Sequence, residues 1–383
     1  MSLARRFVPL RDRQADWAMR CAMVRDAEQF LYLSTFYLEQ DEYGAEMLDL
    51  LAAAQARGVR VALVIDSFGQ RLGGTLMSTA QREALGRTLD KLVRDGARVT
   101  HYAPPRWMQR RVGGGQHVKI QVSDAGCLIL TSGNITRTSF AHWREYAVAV
   151  EGAVVPEVMA SWEAIGGTLD PRDRAHLAAL AREAPGDIDM AYGFCNPNLH
   201  QGSTGPWLWT GTNALTDRMV EMVDAARHEL LVSSFYFKPA PVLEAAVLKA
   251  ARRGVHVEIH HSHRESLEAT DLAWVAAAVR YPQLLEAGVH VHEHPAGEHS
   301  KICVVDRQWA AFGSYNFEEP AHDRLAEAML LSRDPRAVSP ALAVFEELRG
   351  MPDRLEVTPE VMGAWSRELA GRIRRWGRFR WWL

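Results

Sequence analysis

HVKIQVSD at His117–Asp124 and HSKICVVD at His299–Asp306 decide the fold, because they are one pattern written twice. Downstream the pattern continues in strict register. Ser132 and Ser314, Asn134 and Asn316, and Glu145 and Glu327 are each 182 residues apart, with no gap. Upstream the register loosens but the order holds. LVRDGARVTHY (Leu92–Tyr102) matches LLEAGVHVHEH (Leu284–His294), and ARGVRVALVID (Ala56–Asp66) matches RRGVHVEIHHS (Arg252–Ser262). LYLSTFYLE (Leu31–Glu39) matches LLVSSFYFK (Leu230–Lys238), now at an offset of 199, so the first copy carries the longer loops. The chain is an internal repeat.

Each copy reads as strand, helix, strand, helix, strand, then the polar motif. Leu31–Tyr37 and Val59–Ile65 are short β-rich runs, whereas Ala45–Ala56 and Val242–Arg252 carry apolar residues at helical spacing. Gly58 and Gly254 stand just past those helices, where a terminating glycine belongs. Alternating strands and helices imply an α/β fold with helices packed on the sheet faces. The expected layout is a first domain at 1–169, a connector at 170–213, a second domain at 214–345 and a tail at 346–383. The connector is rich in Pro, Gly and Asn near CNPNLHQGSTGP, which is a loop composition.

Composition narrows the function. With 44 basic and 47 acidic residues among 383, the net charge is −3, which disfavours a broadly basic nucleic-acid coat. No apolar run is long enough to span a bilayer, and charges interrupt the N-terminus too early for a secretory leader. Cys21, Cys127, Cys195 and Cys303 are far apart and form no CxxC pair, so reduced thiols in a cytoplasmic protein are expected.

The repeated motif has a chemical reading. His and Lys two apart on a strand project from one face, and His117/Lys119 and His299/Lys301 are such pairs. A neutral imidazole can attack phosphorus while an ammonium offsets charge on the non-bridging oxygens. Ser132, Asn134, Ser314 and Asn316 offer neutral donors to the same oxygens. Glu145 and Glu327 can accept from the second ring nitrogen and fix the tautomer. Two copies facing one another would place a histidine on each side of a phosphodiester. The residues support the pair and leave open which histidine attacks.

HxK, four residues, Asp, six residues, then GSxN resembles the signature of the phospholipase D superfamily. His299, Lys301, Asp306 and Gly313–Asn316 keep it intact, and the first copy departs only at Thr131, in TSGN. Around the motifs, RWMQRRVGGGQHVK (Arg106–Lys119), WREYAVAVEGAVV (Trp143–Val155) and LAEAMLLSRDP (Leu325–Pro335) resemble the short bacterial cardiolipin synthases. The resemblance implies two similar domains related by a pseudo-two-fold axis, each a mixed sheet flanked by helices. It implies transfer of a phosphatidyl group through a phosphohistidine, with no cofactor and no metal. It makes His117 the nucleophile and His299 the acid and then the base, with Asp124 and Asp306 bracing the motif strands. Phospholipase D hydrolysis and nucleic-acid phosphodiester cleavage are the alternatives.

Three further features carry expectations. His256, His260, His261 and His263 cluster at one strand end, and His290, His292 and His294 alternate along another. The expected place of the first group is the cleft outside the strand ends, the second group would share one sheet face, and a metal site is the alternative. The loop Pro104–Gly115 reads as a cationic lip. WSRELAGRIRRWGRFRWWL (Trp365–Leu383) mixes Trp and Arg and reads as an interfacial anchor. The expected partner is therefore a phospholipid surface, at the inner face of the cell membrane, and no nucleic acid. Both motifs lie in one chain, so catalysis does not require a dimer.

Overall fold

A computed structural model describes residues 2–199, 212–268 and 270–376. The strands are β1 (Ser2–Ala4), β2 (Arg6–Leu10), β3 (Phe30–Thr35), β4 (Arg60–Asp66), β5 (Arg98–Tyr102), β6 (Gly115–Gln116), β7 (Ile120–Ser123), β8 (Cys127–Thr131) and β9 (Ala147–Glu151) in the first half. The second half holds β10 (Ile188–Cys195), β11 (Glu229–Ser233), β12 (His256–Ser262), β13 (Val289–His294), β14 (Ile302–Val305), β15 (Trp309–Gly313), β16 (Leu325–Ser332) and β17 (Leu355–Glu356).

The first sheet runs β2-β9-β8-β7-β3-β4-β5, and the second contains β10-β16-β15-β14-β11-β12-β13 in the matching order. In each, three parallel strands carry helical crossovers and an antiparallel meander follows. The crossover helices Glu42–Ala56 and Pro241–Arg252 bury Met47, Leu48 and Leu51 in one copy and Leu243, Val247 and Leu248 in the other. These are the apolar stripes that the spacing predicts. Two similar mixed-sheet domains are thus established.

The first part of the expected connector is regular structure. Pro171–Glu183 is a helix, capped by Asp170 and opened by Pro171, and Ile188–Cys195 is β10. β10 pairs with β16 as β2 pairs with β9, so the strand belongs to the second sheet. Its alternation is weak, IDMAYGFC, because it lies near the sheet edge with only β1 outside it. Residues 200–211, which hold most of the Gly-rich run, lie outside the described residues.

The halves are tied together at both ends. β1 pairs with β10 of the second sheet while the adjacent β2 pairs with β9 of the first. One apolar core crosses the boundary: Tyr146 and Phe7 each stand 5.6 Å from the ring of Phe312. Such a dry shared core holds the two motifs in one fixed relation.

Candidate active site

His117–Lys119 and His299–Lys301 are not inside strands, as their spacing suggests, but in the extended links that precede β7 and β14. The links cross between domains. The His117 amide donates to the Ala326 carbonyl at 2.8 Å, and the His299 amide to the Arg144 carbonyl at 2.8 Å. β6 pairs with β16 for the same reason. One aromatic ring still borders both members of each pair: Phe36 lies 4.9 Å from the His117 ring and 5.6 Å from Lys119 Nζ, and Phe235 lies 4.4 Å from the His299 ring and 5.8 Å from Lys301 Nζ.

The crossing decides the chemistry. His117 Nδ1 lies 3.0 Å from Glu327 and 3.1 Å from the carbonyl oxygen of Ser314. His299 Nδ1 lies 2.8 Å from both oxygens of Glu145. Each imidazole is therefore held by the carboxylate of the other domain. A carbonyl oxygen only accepts, so His117 Nδ1 must carry the proton, which leaves the lone pair on Nε2.

Both imidazoles face one cleft of about 620 Å³. Ser132 donates to Glu145 at 2.5 Å, and Ser139 to its other oxygen at 2.9 Å; Ser314 donates to Glu327. The serines thus orient the glutamates, and their hydroxyl protons are not available as phosphate donors. Asn134 and Asn316 do line the cleft. Lys119 Nζ donates to the His117 carbonyl at 2.8 Å and Lys301 Nζ to the His299 carbonyl at 2.5 Å.

Asp124 and Asp306 lie away from the cleft. Asp306 accepts the amides of His228 and Glu229 at 2.7 and 2.9 Å, and Asp124 accepts that of Glu28 at 3.2 Å. They pin the entry of β11 and β3. Thr131 replaces a glycine that the second copy needs: a Cβ at Gly313 would meet the Ala328 carbonyl at 2.3 Å. In the first copy the Thr131 hydroxyl instead accepts the Gly133 amide at 3.0 Å.

The aromatic wall is a part of the site that chemistry-led reading of the sequence missed. Phe36 and Phe235 set their edges against His117 and His299, at 4.9 and 4.4 Å, and Trp143 stacks on His299 at 4.8 Å. The signal was the FY pair common to STFYLE and SSFYFK, which puts Phe36/Phe235 and Tyr37/Tyr236 in the cleft. Trp143 has no such twin, because the residue 182 later is Leu325.

Residues 21–165 and 219–349 match the model of a family described as "Cardiolipin synthase, PLD-like domain". The chain belongs to this family. It is an enzyme of the phospholipase D type. Cardiolipin synthase B of Salmonella typhimurium is 26% identical over 323 residues, which is 81% of this chain and 72% of that protein. A probable cardiolipin synthase of Bacillus subtilis is 21% identical over 364 residues, covering 92% of this chain and 66% of the relative. Among solved structures, phosphatidylserine synthase of Haemophilus influenzae superposes with a TM-score of 0.72 at 16% identity, over 100% of this chain and 95% of the other. That likeness carries the fold.

In this phospholipase D-type site burial sets the charges. It pushes His117 well below the ordinary imidazole value, helped by Lys119 and Lys301. His299 is pushed down to about 4 by burial, against the pull of Glu145. Glu145 itself is held near 2, because His299 and Lys301 outweigh its burial. Glu327 goes the other way, well above the carboxylate range, because burial dominates.

Burial also lowers Lys119 to about 7 and Lys301 to about 8. An ammonium is charged below its pKa, so the positive charge of these two lysines is lost as pH rises through that window. We expect kcat/KM for a soluble phosphodiester, which reports free-enzyme groups, to fall above pH 7 to 8. A profile flat to pH 9.5 would show that the lysines stay charged.

The remaining expectations divide. The histidine cluster does not line the cleft: His260, His261, His292 and His294 are buried within the second domain. Alternation along a strand gives the face, not what packs on it. Phe68 holds the first-copy position and does reach the cleft. Arg111 and Gly113 of the arginine-rich loop border it, while Trp107 is 63% exposed. In the tail, Arg367–Trp376 is a helix that buries Leu369 and Ile373 against the second domain, with Arg372 paired to Asp271 at 2.5 Å. Its apolar stripe thus packs on the protein body, while Arg367, Arg374, Arg375 and Trp376 remain exposed. Residues 377–383 of the expected anchor lie outside the described residues. Cys21, Cys127 and Cys303 are free thiols, and burial raises Cys303 to about 12. Among the described residues no helix is long and apolar enough to cross a membrane.

Proposed function

We propose that the protein transfers a phosphatidyl group between alcohols, with an anionic phospholipid as donor. The observation that carries this is the crossed pair of histidines, both opening on one aromatic-walled cleft. His117 Nε2, its lone pair fixed by the Ser314 carbonyl and Glu327 on Nδ1, attacks phosphorus. The P–O bond to the first alcohol breaks, and His299, entering the step as the imidazolium that Glu145 and the bound phosphodiester anion support, gives that oxygen its Nε2 proton and becomes neutral. His299 then takes the proton from the incoming alcohol, whose oxygen displaces His117 from phosphorus. Lys119 and Lys301 offset the growing charge on the non-bridging oxygens. Ionised Glu145 favours the protonated state that His299 must pass through. His117 Nδ1 also meets the Ser314 carbonyl, which fixes its neutral tautomer, whereas the contacts of His299 Nδ1 among the described residues are the Glu145 oxygens; this difference favours His117 as nucleophile.

Phe36, Trp143, Phe235 and Tyr236 make the walls largely apolar. A dry cleft favours an alcohol over water as acceptor, so transfer is preferred to hydrolysis. The test uses vesicles containing phosphatidylglycerol, with products read by mass spectrometry and glycerol or ethanolamine offered as acceptor. A diphosphatidyl lipid is expected. Phosphatidic acid as the sole product would make the enzyme a hydrolase, and no lipid turnover would redirect the search to nucleic acid.

The reading also places the protein on the cytoplasmic surface of an anionic membrane. Arg367, Arg374 and Arg375 are exposed on the docked helix beside Trp376. Each arginine near such a surface contributes on the order of 1 kcal/mol. Changing all three to Gln is therefore expected to weaken binding to anionic vesicles by about 100-fold without unfolding the domain. Unchanged vesicle sedimentation would refute this surface.

A further inference from the structure

The histidines that fail to reach the cleft form a second constellation. On β12, Glu258 and His260 point to one face of the sheet, and on β13 His292 stands directly opposite His260. One donor atom from each of the three lies within 4.8 Å of the other two. All three are buried, His260 and His292 at 0% and 4% exposure.

The details suit a cation. His260 Nε2 lies 3.4 Å from Glu258. That is about the edge of a tetrahedron drawn with ~2.0 Å bonds, the length of a zinc–imidazole contact. His260 Nδ1 lies 3.0 Å from His294 Nε2. A proton on Nδ1 donated across that gap leaves Nε2 as the lone pair facing the site, the arrangement by which an outer residue orients a ligating imidazole. His292 Nδ1 is buried and has no hydrogen-bond partner among the described residues. A hydrogen-bonded core histidine would not leave it so. Arg349 contacts Glu258 at 2.8 Å, but it also holds Glu229 at 3.1 Å and can keep that bond if Glu258 turns to a metal.

We propose that Glu258, His260 and His292 form a binding site for a late first-row divalent cation, zinc being the best match to two imidazoles and one carboxylate. The site fastens β12 to β13 beneath the helix Pro335–Arg349, whose Phe345 packs 5.8 Å from His260. It is separate from the catalytic cleft and takes no part in the transfer.

The test uses the full chain without an affinity tag, stripped with chelator and dialysed against Zn²⁺ or Co²⁺. One equivalent of metal per chain is expected by elemental mass spectrometry, with the intense visible absorption of tetrahedral Co²⁺ and a rise in Tm. His292→Gln and Glu258→Gln, each checked for folding by circular dichroism, should weaken binding at least tenfold. The surface variant His142→Ala and the cleft variant His117→Ala should both retain the equivalent. Absence of stoichiometric metal in the folded wild type would overturn the proposal. So would full retention by folded His292→Gln, or loss confined to His117→Ala, which would move the metal to the cleft. If a ligand variant does not fold, the Co²⁺ spectrum of the wild type decides: no tetrahedral signature means no such site.

Discussion

Replacing His117 with alanine is expected to lower turnover by on the order of 10⁴ or more, because no other group can form the bond to phosphorus. His299→Ala should behave differently. It removes the proton donor and acceptor, a role worth about 10² to 10⁴, but leaves the nucleophile. With a p-nitrophenyl phosphodiester, whose leaving group needs no proton, His299→Ala should release one burst of nitrophenol and then stall. The stalled protein should carry the phosphoryl group on His117, found by mass spectrometry of the peptide. An adduct on His299 in the wild type would reverse the assignment. Retention of more than about 1% of turnover by His117→Ala would end the two-histidine mechanism. The prediction rests on geometry: the Nδ1 contacts to Ser314 and Glu327 leave only Nε2 of His117 with a free lone pair.

The second large effect concerns the glutamates, which look interchangeable in the sequence. Glu145 stays ionised beside His299, so Glu145→Gln removes a buried charge that supports the imidazolium. A loss of about 10² to 10⁴ in kcat is expected for poor leaving groups, and much less for nitrophenyl esters. Glu327 accepts from His117 Nδ1 and from Ser314, and Glu327→Gln keeps one of those oxygens as an acceptor while the Ser314 carbonyl still holds Nδ1. We expect a change below about tenfold. Parallel rates on both substrates test this. If Glu327→Gln proves the more damaging on alkyl esters, the roles of the two halves are exchanged.

The parts of this site differed in how readable they were. The histidines and lysines were legible because a polar register kept without a gap over 28 residues is hard to obtain from core packing. The aromatic wall was legible only in retrospect, since FY inside a β-rich run reads first as core. The serines were visible but misassigned: their hydroxyls serve the glutamates, because a buried carboxylate needs donors. The tail helix read as an anchor because an amphipathic stripe looks the same against lipid and against protein. Only the presence of Trp274 and the α/β body beneath it selected the second. β10 was hidden as a linker because its alternation is weak.

By itself the sequence determined a duplicated α/β unit, a His–Lys pair in each copy, and hence phosphodiester chemistry. Those follow from local rules, the period of a strand and the spacing of a helix face, which act within a few residues. Which carboxylate serves which histidine was decided by tertiary structure alone. Glu145 follows His117 by 28 residues and Glu327 follows His299 by the same 28, so pairing within a domain and pairing across domains leave an identical pattern in the chain. Packing broke that tie. The motif links cross the boundary, hydrogen-bond to Ala326 and Arg144, and deliver each imidazole to the other domain's carboxylate.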